Sequence, residues 1–479
     1  IRRPPRSTLD RSSAASDVYK RQMEIQPMDL TQNEAKLSIK DGDIGVLYII
    51  QHELLKLQDT EFAGVITRHP LTNEIWMRVN STNPLKDISQ ATNSAIESIN
   101  EIKKLSPVTR YAMKASSNAR ILQEMLANGV KIDAVSVYEV QRAIRAGYKA
   151  EDICFTSDVF FNADDVNYCL EKNIYCNCGT LGMVEEYGQA LKKKGTGSPK
   201  ISIRINPGEG AGHSKKTNTG GPYSKHGIWY QNLDEVKQLL KEYNLTLTGV
   251  HMHIGSGGDM EHLKRITGKL VDFAKEFPDV ETINFGGGLP YQYDPDQPQE
   301  DITGYKAIID ERAEVLRQHF GREVVCEIEP GRRFVAGCGY LIGEVRSLNH
   351  TFDEDGKRID YVLTNVGFCH LIRPMAYGSF HPIWFDGERL GPEQNLIIAG
   401  PVCESGDVLT QKDEEPVPRK LPMPKSGDLI VVGGAGAYGH VMSSNYNSQP
   451  LIPEVIIDGD ICTLTRKRQT LDDIMQAEI

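Results

Sequence analysis

Between Val108 and Glu329 the chain alternates short β-branched runs with amphipathic helical stretches, and no other feature limits its fold so tightly. Eight runs read as strands: 108–113, 134–136, 153–156, 174–177, 201–206, 246–254, 281–285 and 324–329. Between them, 118–128, 136–146, 233–243 and 260–277 carry apolar residues at helical spacing. Strands separated by helices pair in parallel, and eight such units close into a ring. The segment is therefore expected to be an α/β (βα)8 TIM-like barrel. Active sites of such barrels lie at the C-terminal strand ends, and Lys114, Asn206, His253, Gly286 and Glu329 fall there.

A single core seldom grows past about 250–300 residues, so 479 residues call for more than one domain. Beyond Gly343 the pattern changes to strand-like runs at 361–366, 395–399, 428–432 and 454–457, with little helical periodicity. The expected organisation is a barrel over 84–342 and a mainly β, Greek-key or β-barrel domain over 343–479. Residues 23–83 give mixed signals with one helix candidate at 43–58 and stay unassigned. Ile1–Gln22 is rich in Arg, Ser and Pro, nearly free of acids, and followed by Met23. A transit peptide shares that composition, but Arg3-Pro4-Pro5-Arg6 breaks an amphipathic helix; a non-native extension is the favoured reading.

The balance of 65 acidic against 54 basic residues, net −11, leaves no basic stripe for nucleic acid. Nine cysteines form no paired framework, and Cys176-Asn177-Cys178 lacks zinc-knuckle spacing, so no metal is expected and the thiols fit a reducing, cytoplasmic setting. No run approaches the roughly 18 apolar residues of a membrane span.

Two short stretches carry the chemistry. Lys114 follows the apolar run Tyr111-Ala112-Met113, and Glu329-Pro330-Gly331-Arg332 joins a carboxylate to an arginine. A lysine there can form an imine, and a buried acid with an adjacent arginine can hold a charged ring and its phosphate, which together suit pyridoxal 5'-phosphate. Each residue has a plainer alternative: Lys114 a surface lysine, His253 a hydrogen-bonded core histidine, Gly286-Gly287-Gly288 a tight turn, Cys403 a small buried thiol.

Taken in order, the motifs decide between these readings. They are Tyr111-Ala112-Met113-Lys114-Ala115, Gly212-His213-Ser214, Lys216-Thr217-Asn218-Thr219-Gly220-Gly221 and Ser224-Lys225-His226-Gly227-Ile228. The set continues with His251-Met252-His253-Ile254-Gly255-Ser256, the triple glycine with Leu289, Glu329-Pro330-Gly331-Arg332, and 373–378, 403–407 and 443–447. From about Asp87 to the C-terminus the chain resembles the bacterial diaminopimelate decarboxylases, which share their fold with ornithine decarboxylase and alanine racemase. The resemblance implies decarboxylation of meso-2,6-diaminopimelate to L-lysine and carbon dioxide, the last step of lysine biosynthesis.

It also implies roles. Lys114 holds the cofactor, with its pKa lowered by an apolar pocket and a cationic imine. Glu329 pairs with the ring nitrogen, and His253 stacks on the ring. Gly286, Gly287, Gly288 and Ser256 take the phosphate, with Pro330, Gly331, Arg332 and Tyr438 completing the cofactor set. Arg373, with Arg332 and Tyr377, grips the distal carboxylate, Tyr438 also binds substrate, Glu404 accepts the distal ammonium, and Cys403 donates the proton. The Cys403 loop and Tyr377 are expected to reach the site of a second subunit, which makes the enzyme a homodimer.

One departure stands out. Where the family has Gly-Thr-Pro-aromatic-Val-Tyr, this chain has Ser81-Thr82-Asn83-Pro84-Leu85-Lys86, which puts the first barrel element in question. The alternatives are an ornithine-, arginine- or carboxynorspermidine-type decarboxylase, a racemase, and a catalytically decayed regulatory homologue. The first does not need Arg373, and the last predicts loss of Lys114 or Cys403.

Overall fold

The computed structural model describes residues 24–40, 60–69, 74–82, 102–210, 219–253, 255, 260–294, 296, 302–386, 390–458 and 461–479. The chain divides into two compact units, Ile1–Ser98 with Val455–Leu464, and Ile99–Glu454 with Thr465–Ile479. In the first unit β1 (Glu24–Leu30), β2 (Glu34–Lys40), β3 (Thr60–His69) and β4 (Glu74–Ser81) form an antiparallel sheet in the order β1-β2-β4-β3. Ala35, Leu37 and Ile39 are buried at every second position, the period that puts one face of a strand against a core. The helix expected at 43–58 lies outside the described residues. So does the altered segment from Asn83 to Lys86.

In the second unit the eight-stranded ring is present. It consists of β5 (Val108–Ala112), β6 (Lys131–Ala134), β7 (Ile153–Ser157), β8 (Tyr175–Cys178), β9 (Lys200–Asn206), β11 (Thr246–His251), β12 (Thr282–Asn284) and β13 (Val325–Ile328); the two-residue β10 (Ile228–Trp229) pairs on β9. Neighbours run parallel, and Asn177↔Ser202 with Cys178↔Ile203 joins β8 to β9 and closes the ring. Ile132, Ile153, Ile203, Val250, Ile283 and Ile328 are fully buried, the burial on both faces that a parallel barrel requires.

Strand boundaries are trimmed by helix entry. The run expected as a strand at 134–136 belongs to β6 only as far as Ala134. Ser136 caps the helix Val137–Arg145 by accepting the Glu139 N–H, and Glu139 Oε2 accepts the Val135 N–H. Each bond satisfies a donor that the helix start leaves open.

The mainly β domain is built on β14 (Leu341–Phe352), β15 (Arg358–Thr364), β16 (Ile383–Asp386), β17 (Glu393–Ala399), the small hairpin β18 (Gln411–Lys412) and β19 (Glu415–Pro416), β20 (Arg419–Pro422) and β21 (Leu429–Val432). The six-stranded sheet runs β16-β21-β14-β15-β17-β20, antiparallel throughout except for β15 against β17. Its own core holds Leu341, Val345, Val362, Leu396, Ile398, Ile430 and Val432. No helix among the described residues is long and apolar enough to cross a membrane.

Barrel and sheet meet at Gly436. A Cβ there would collide with the Val335 carbonyl, so the chain passes only because this residue has no side chain. Two residues on, Tyr438 takes a left-handed backbone at φ 58° and donates its N–H to the Ala115 carbonyl at 2.8 Å, fixing its ring beside the barrel mouth. Gly436→Ala is expected to cost about 1–3 kcal/mol. A urea midpoint equal to that of the parent protein would count against this close approach.

Candidate active site

Lys114 owes its direction to its neighbours. Met113 and Ala115 are buried on either side of it in a short 3-10 turn at the end of β5, which leaves the Lys114 ammonium facing a cavity at the barrel mouth. Its Nζ lies 3.9 Å from Asp133 Oδ2 at the end of β6. Burial raises Asp133 to about 7, helped by Glu329 and opposed by Lys114. Asp133 Oδ1 is buried without a hydrogen-bond partner among the described residues, which marks a charge held at a cost. Burial pulls Lys114 down, but Asp133, Tyr438 and Glu329 outweigh it and leave the amine raised. The lowered value expected from an apolar pocket is therefore corrected: acidic neighbours dominate in the chain without a cationic imine.

Glu329 is buried. His251 Nε2 lies 2.9 Å from its Oε2, and Asn284 Nδ2 donates to its Oε1 at 2.8 Å. Asn284 also donates to Glu327 Oε2 at 3.2 Å, and Arg110 binds both Glu327 oxygens at 2.8 and 2.9 Å. Burial alone would raise Glu329, but the charge and hydrogen bond of His251, with Lys114 and His253, hold it down at about 2. The group is a carboxylate at any ordinary pH.

His253 lines the cavity and accepts the Gly287 N–H on Nδ1 at 3.2 Å, while its carbonyl accepts Thr219 Oγ1 at 2.8 Å. Burial, then Lys114 and Arg204, keep its imidazole well below the usual range, hence neutral. Gly287 and Gly288 line the same wall. Gly286 lies behind them at φ 73°, its N–H bound by Asn284 Oδ1 at 2.8 Å. A Cβ on Gly287 would strike the Glu329 carbonyl, so only glycine fits at this close approach. Pro330 acts through its backbone, accepting the Ala112 N–H at 3.3 Å, and Gly331 lines the cavity. Ser256 lies outside the described residues.

The same lining holds two cations. Arg332 and Arg373 line the cavity together with Tyr377, Ser379 and Tyr438. Arg332 Nη1 donates to the Tyr293 hydroxyl at 2.9 Å, and its guanidinium carbon stands 4.9 Å from the Tyr438 ring. Arg373 is buried and stands 4.7 Å from the Tyr293 ring. Tyr377, expected in a second subunit's site, instead lines the cavity of its own chain, because it sits on the short helix Arg373–Tyr377 that also carries Arg373.

Cys403 and Glu404 are exposed and lie away from this cavity. Their loop is shaped by Asp407, whose Oδ1 accepts the Phe368 N–H at 2.7 Å and whose Oδ2 accepts the Val402 N–H at 3.0 Å. Asn206 proves structural: its side chain exchanges hydrogen bonds with the Gly221 backbone at 2.9 and 3.0 Å.

Sequence reasoning missed Asp133, His251, Asn284, Tyr293, Ser379 and His381. A signal existed for His251, which stands two residues from His253 where an extended chain turns both side chains to one face. The donor set fits a phosphorylated pyridine aldehyde, offering an amine at Lys114, a carboxylate at Glu329 and the guanidinium groups of Arg332 and Arg373.

Comparison with known proteins agrees with this chemistry. Residues 85–336 match the model of the pyridoxal-dependent decarboxylase, pyridoxal binding domain. The fold and site are those of a pyridoxal-dependent decarboxylase, and the cofactor is pyridoxal phosphate. The Escherichia coli K12 diaminopimelate decarboxylase is 43% identical over 385 residues, covering 78% of this chain and 89% of that protein. A crystal structure of diaminopimelate decarboxylase superposes with a TM-score of 0.74 at 40% identity, covering 80% of this chain and 92% of the other. The Helicobacter pylori diaminopimelate decarboxylase complexed with L-lysine gives 0.69 at 29% identity, with 78% and 90% covered. The chain belongs to the diaminopimelate decarboxylase family. Residues 34–105 separately match the RNA polymerase Rpb3/Rpb11 dimerisation domain.

Because Asp133 titrates near 7 in the folded chain and near 4 when unfolded, the folded state keeps a proton that the unfolded state sheds, and stability falls as pH rises across that window. Asp133→Asn is expected to flatten the fall in urea midpoint between about pH 4 and 7. An unchanged slope would show that Asp133 does not carry it.

Proposed function

We propose that the chain releases carbon dioxide from meso-2,6-diaminopimelate and yields L-lysine. The observation that carries this reading is the presence, in one cavity, of the Lys114 amine with Arg332 and Arg373. A substrate with two amino-acid ends needs an amine-reactive end and a distant carboxylate grip, and a guanidinium offers the forked geometry that a carboxylate fits. Substrates ending in a plain amine or guanidinium would meet two like charges there.

Bound pyridoxal phosphate takes up the electron pair that departing carbon dioxide leaves behind. Lys114 tethers it, and Asp133 beside the amine is a proton acceptor poised near neutrality. Glu329, locked as a carboxylate, is the counter-charge for a protonated ring nitrogen. A carboxylate about 4 Å away is worth on the order of 4 kcal/mol at an effective dielectric of 20, about three pKa units of support for that proton. His253, neutral and pinned by Gly287, offers a flat face to the ring. The glycine run, with Ser256, takes the phosphate.

Cys403 donates the closing proton and Glu404 accepts the distal ammonium, both from a second copy of the chain in a homodimer with shared sites. Their exposure away from their own cavity supports that arrangement. The barrel is taken as 84–342 and the β domain as 343–479, with 1–22 a non-native extension and 23–83 a segment apart from the chemistry. Nine unpaired thiols support a cytoplasmic setting.

Carbon dioxide is expected from meso-diaminopimelate and not from ornithine or arginine; release from ornithine alone would sink the substrate reading. Lys114→Ala should abolish the absorbance of lysine-bound cofactor and lower turnover at least about a thousandfold. Mixing inactive Lys114→Ala and Cys403→Ala proteins should restore about a quarter of parental activity, since random reassortment makes half the dimers mixed, each with one intact site. No recovery would place Cys403 within its own chain's site.

A further inference from the structure

Among the described residues, no acid holds Arg373. Its Nη1 donates to His381 Nε2 at 2.8 Å, its Nη2 donates to Ser379 Oγ at 3.1 Å, and the Tyr293 ring lies beneath it. A guanidinium has only donors, so His381 Nε2 must carry a free lone pair. The other ring nitrogen then bears the proton, and it lies 2.9 Å from the Gly433 carbonyl, which accepts it. The tautomer is fixed by contacts on both sides, and His381 has no exposed surface through which to change it. Burial, then Arg373, holds the imidazole at about 3, in keeping with that geometry.

The choice of a neutral acceptor has a consequence. An aspartate or glutamate would hold Arg373 more strongly, but it would also cancel the charge that a ligand carboxylate needs. Histidine in this tautomer orients the guanidinium and leaves its charge unspent. Tyr293 treats the second arginine alike, accepting from Arg332 Nη1 through a neutral hydroxyl, and its ring meets that of His381 edge-on at 5.1 Å.

We propose that His381 is a specificity-determining positioning residue: as a neutral acceptor it aims Arg373 at the distal carboxylate of the ligand without neutralising it. The inference rests on the substrate reading above. L-lysine retains the distal carboxylate of diaminopimelate, whereas 1,5-diaminopentane has the same two amines and no carboxylate, so the two ligands isolate the contact.

The test is calorimetric affinity of the cofactor-loaded protein for both ligands, in the parent and in His381→Glu, His381→Gln and Ser379→Ala. Loss of a charged hydrogen bond predicts lysine binding weakened about tenfold or more in His381→Glu. Diaminopentane affinity should change less than about threefold, since that ligand makes no such bond. His381→Gln can still accept from Arg373 and donate to Gly433, and should stay within about threefold of the parent for both ligands. Ser379→Ala should weaken lysine selectively. Equal loss of both ligands, or unchanged lysine affinity in both His381→Glu and Ser379→Ala, overturns the proposal. A parent protein that does not prefer lysine over diaminopentane fails differently: it removes the substrate reading itself, and this inference with it.

Discussion

Glu329 is the fixed point of the barrel mouth. A buried carboxylate is expensive, and breaking a buried charge pair by removing one partner typically costs about 3–5 kcal/mol. Here the charge is met on both oxygens, by His251 and Asn284, and through Asn284 it joins the bidentate Arg110–Glu327 pair. That pair spans β5 and β13, where only Glu327↔Val108 and Ile328↔Thr109 are in register. One connected set of side chains thus clamps a short seam of the barrel and aligns the strand that carries Lys114 with the strand that leads into Glu329.

The arginines of the cavity are held differently. At Glu329 an imidazole and an amide meet the two carboxylate oxygens; at Arg332 and Arg373 the supporting groups are hydroxyls, an imidazole and aromatic rings. Strong pairing keeps Glu329 ionised through any ligand exchange. Neutral support keeps the arginines hungry for a carboxylate.

Much of this was legible in the residues. The eight strands and their helices showed through periodicity, because burial on both faces forces long apolar runs, and errors fell at strand ends where capping residues such as Ser136 take over. Lys114, Glu329, His253, the glycines, Arg332, Arg373, Tyr377 and Tyr438 were read from motifs, and the structure brings them around one cavity or its immediate wall. Partners that act through other side chains were not readable. His381 and Tyr293 are ordinary residues in ordinary stretches, and only the turn of the Arg373 helix and the path of the chain after the glycine run bring them together. Asp133 was missed because its significance lies in an orphaned oxygen, a property of packing. In the first unit the strict alternation of Ala35, Leu37 and Ile39 with polar neighbours is a readable strand signal that the sequence reading passed over.

Two guanidinium groups with no acidic partner among the described residues make the cavity an anion trap. Some small anion from the surrounding solution would sit there before any amino acid arrives, so ligand entry is an exchange of one anion for another. Apparent affinity then depends on which salt is dissolved as much as on the side chains themselves. Phosphate or sulfate would hold the wall more firmly than chloride, and the same protein would look weak or strong according to its buffer.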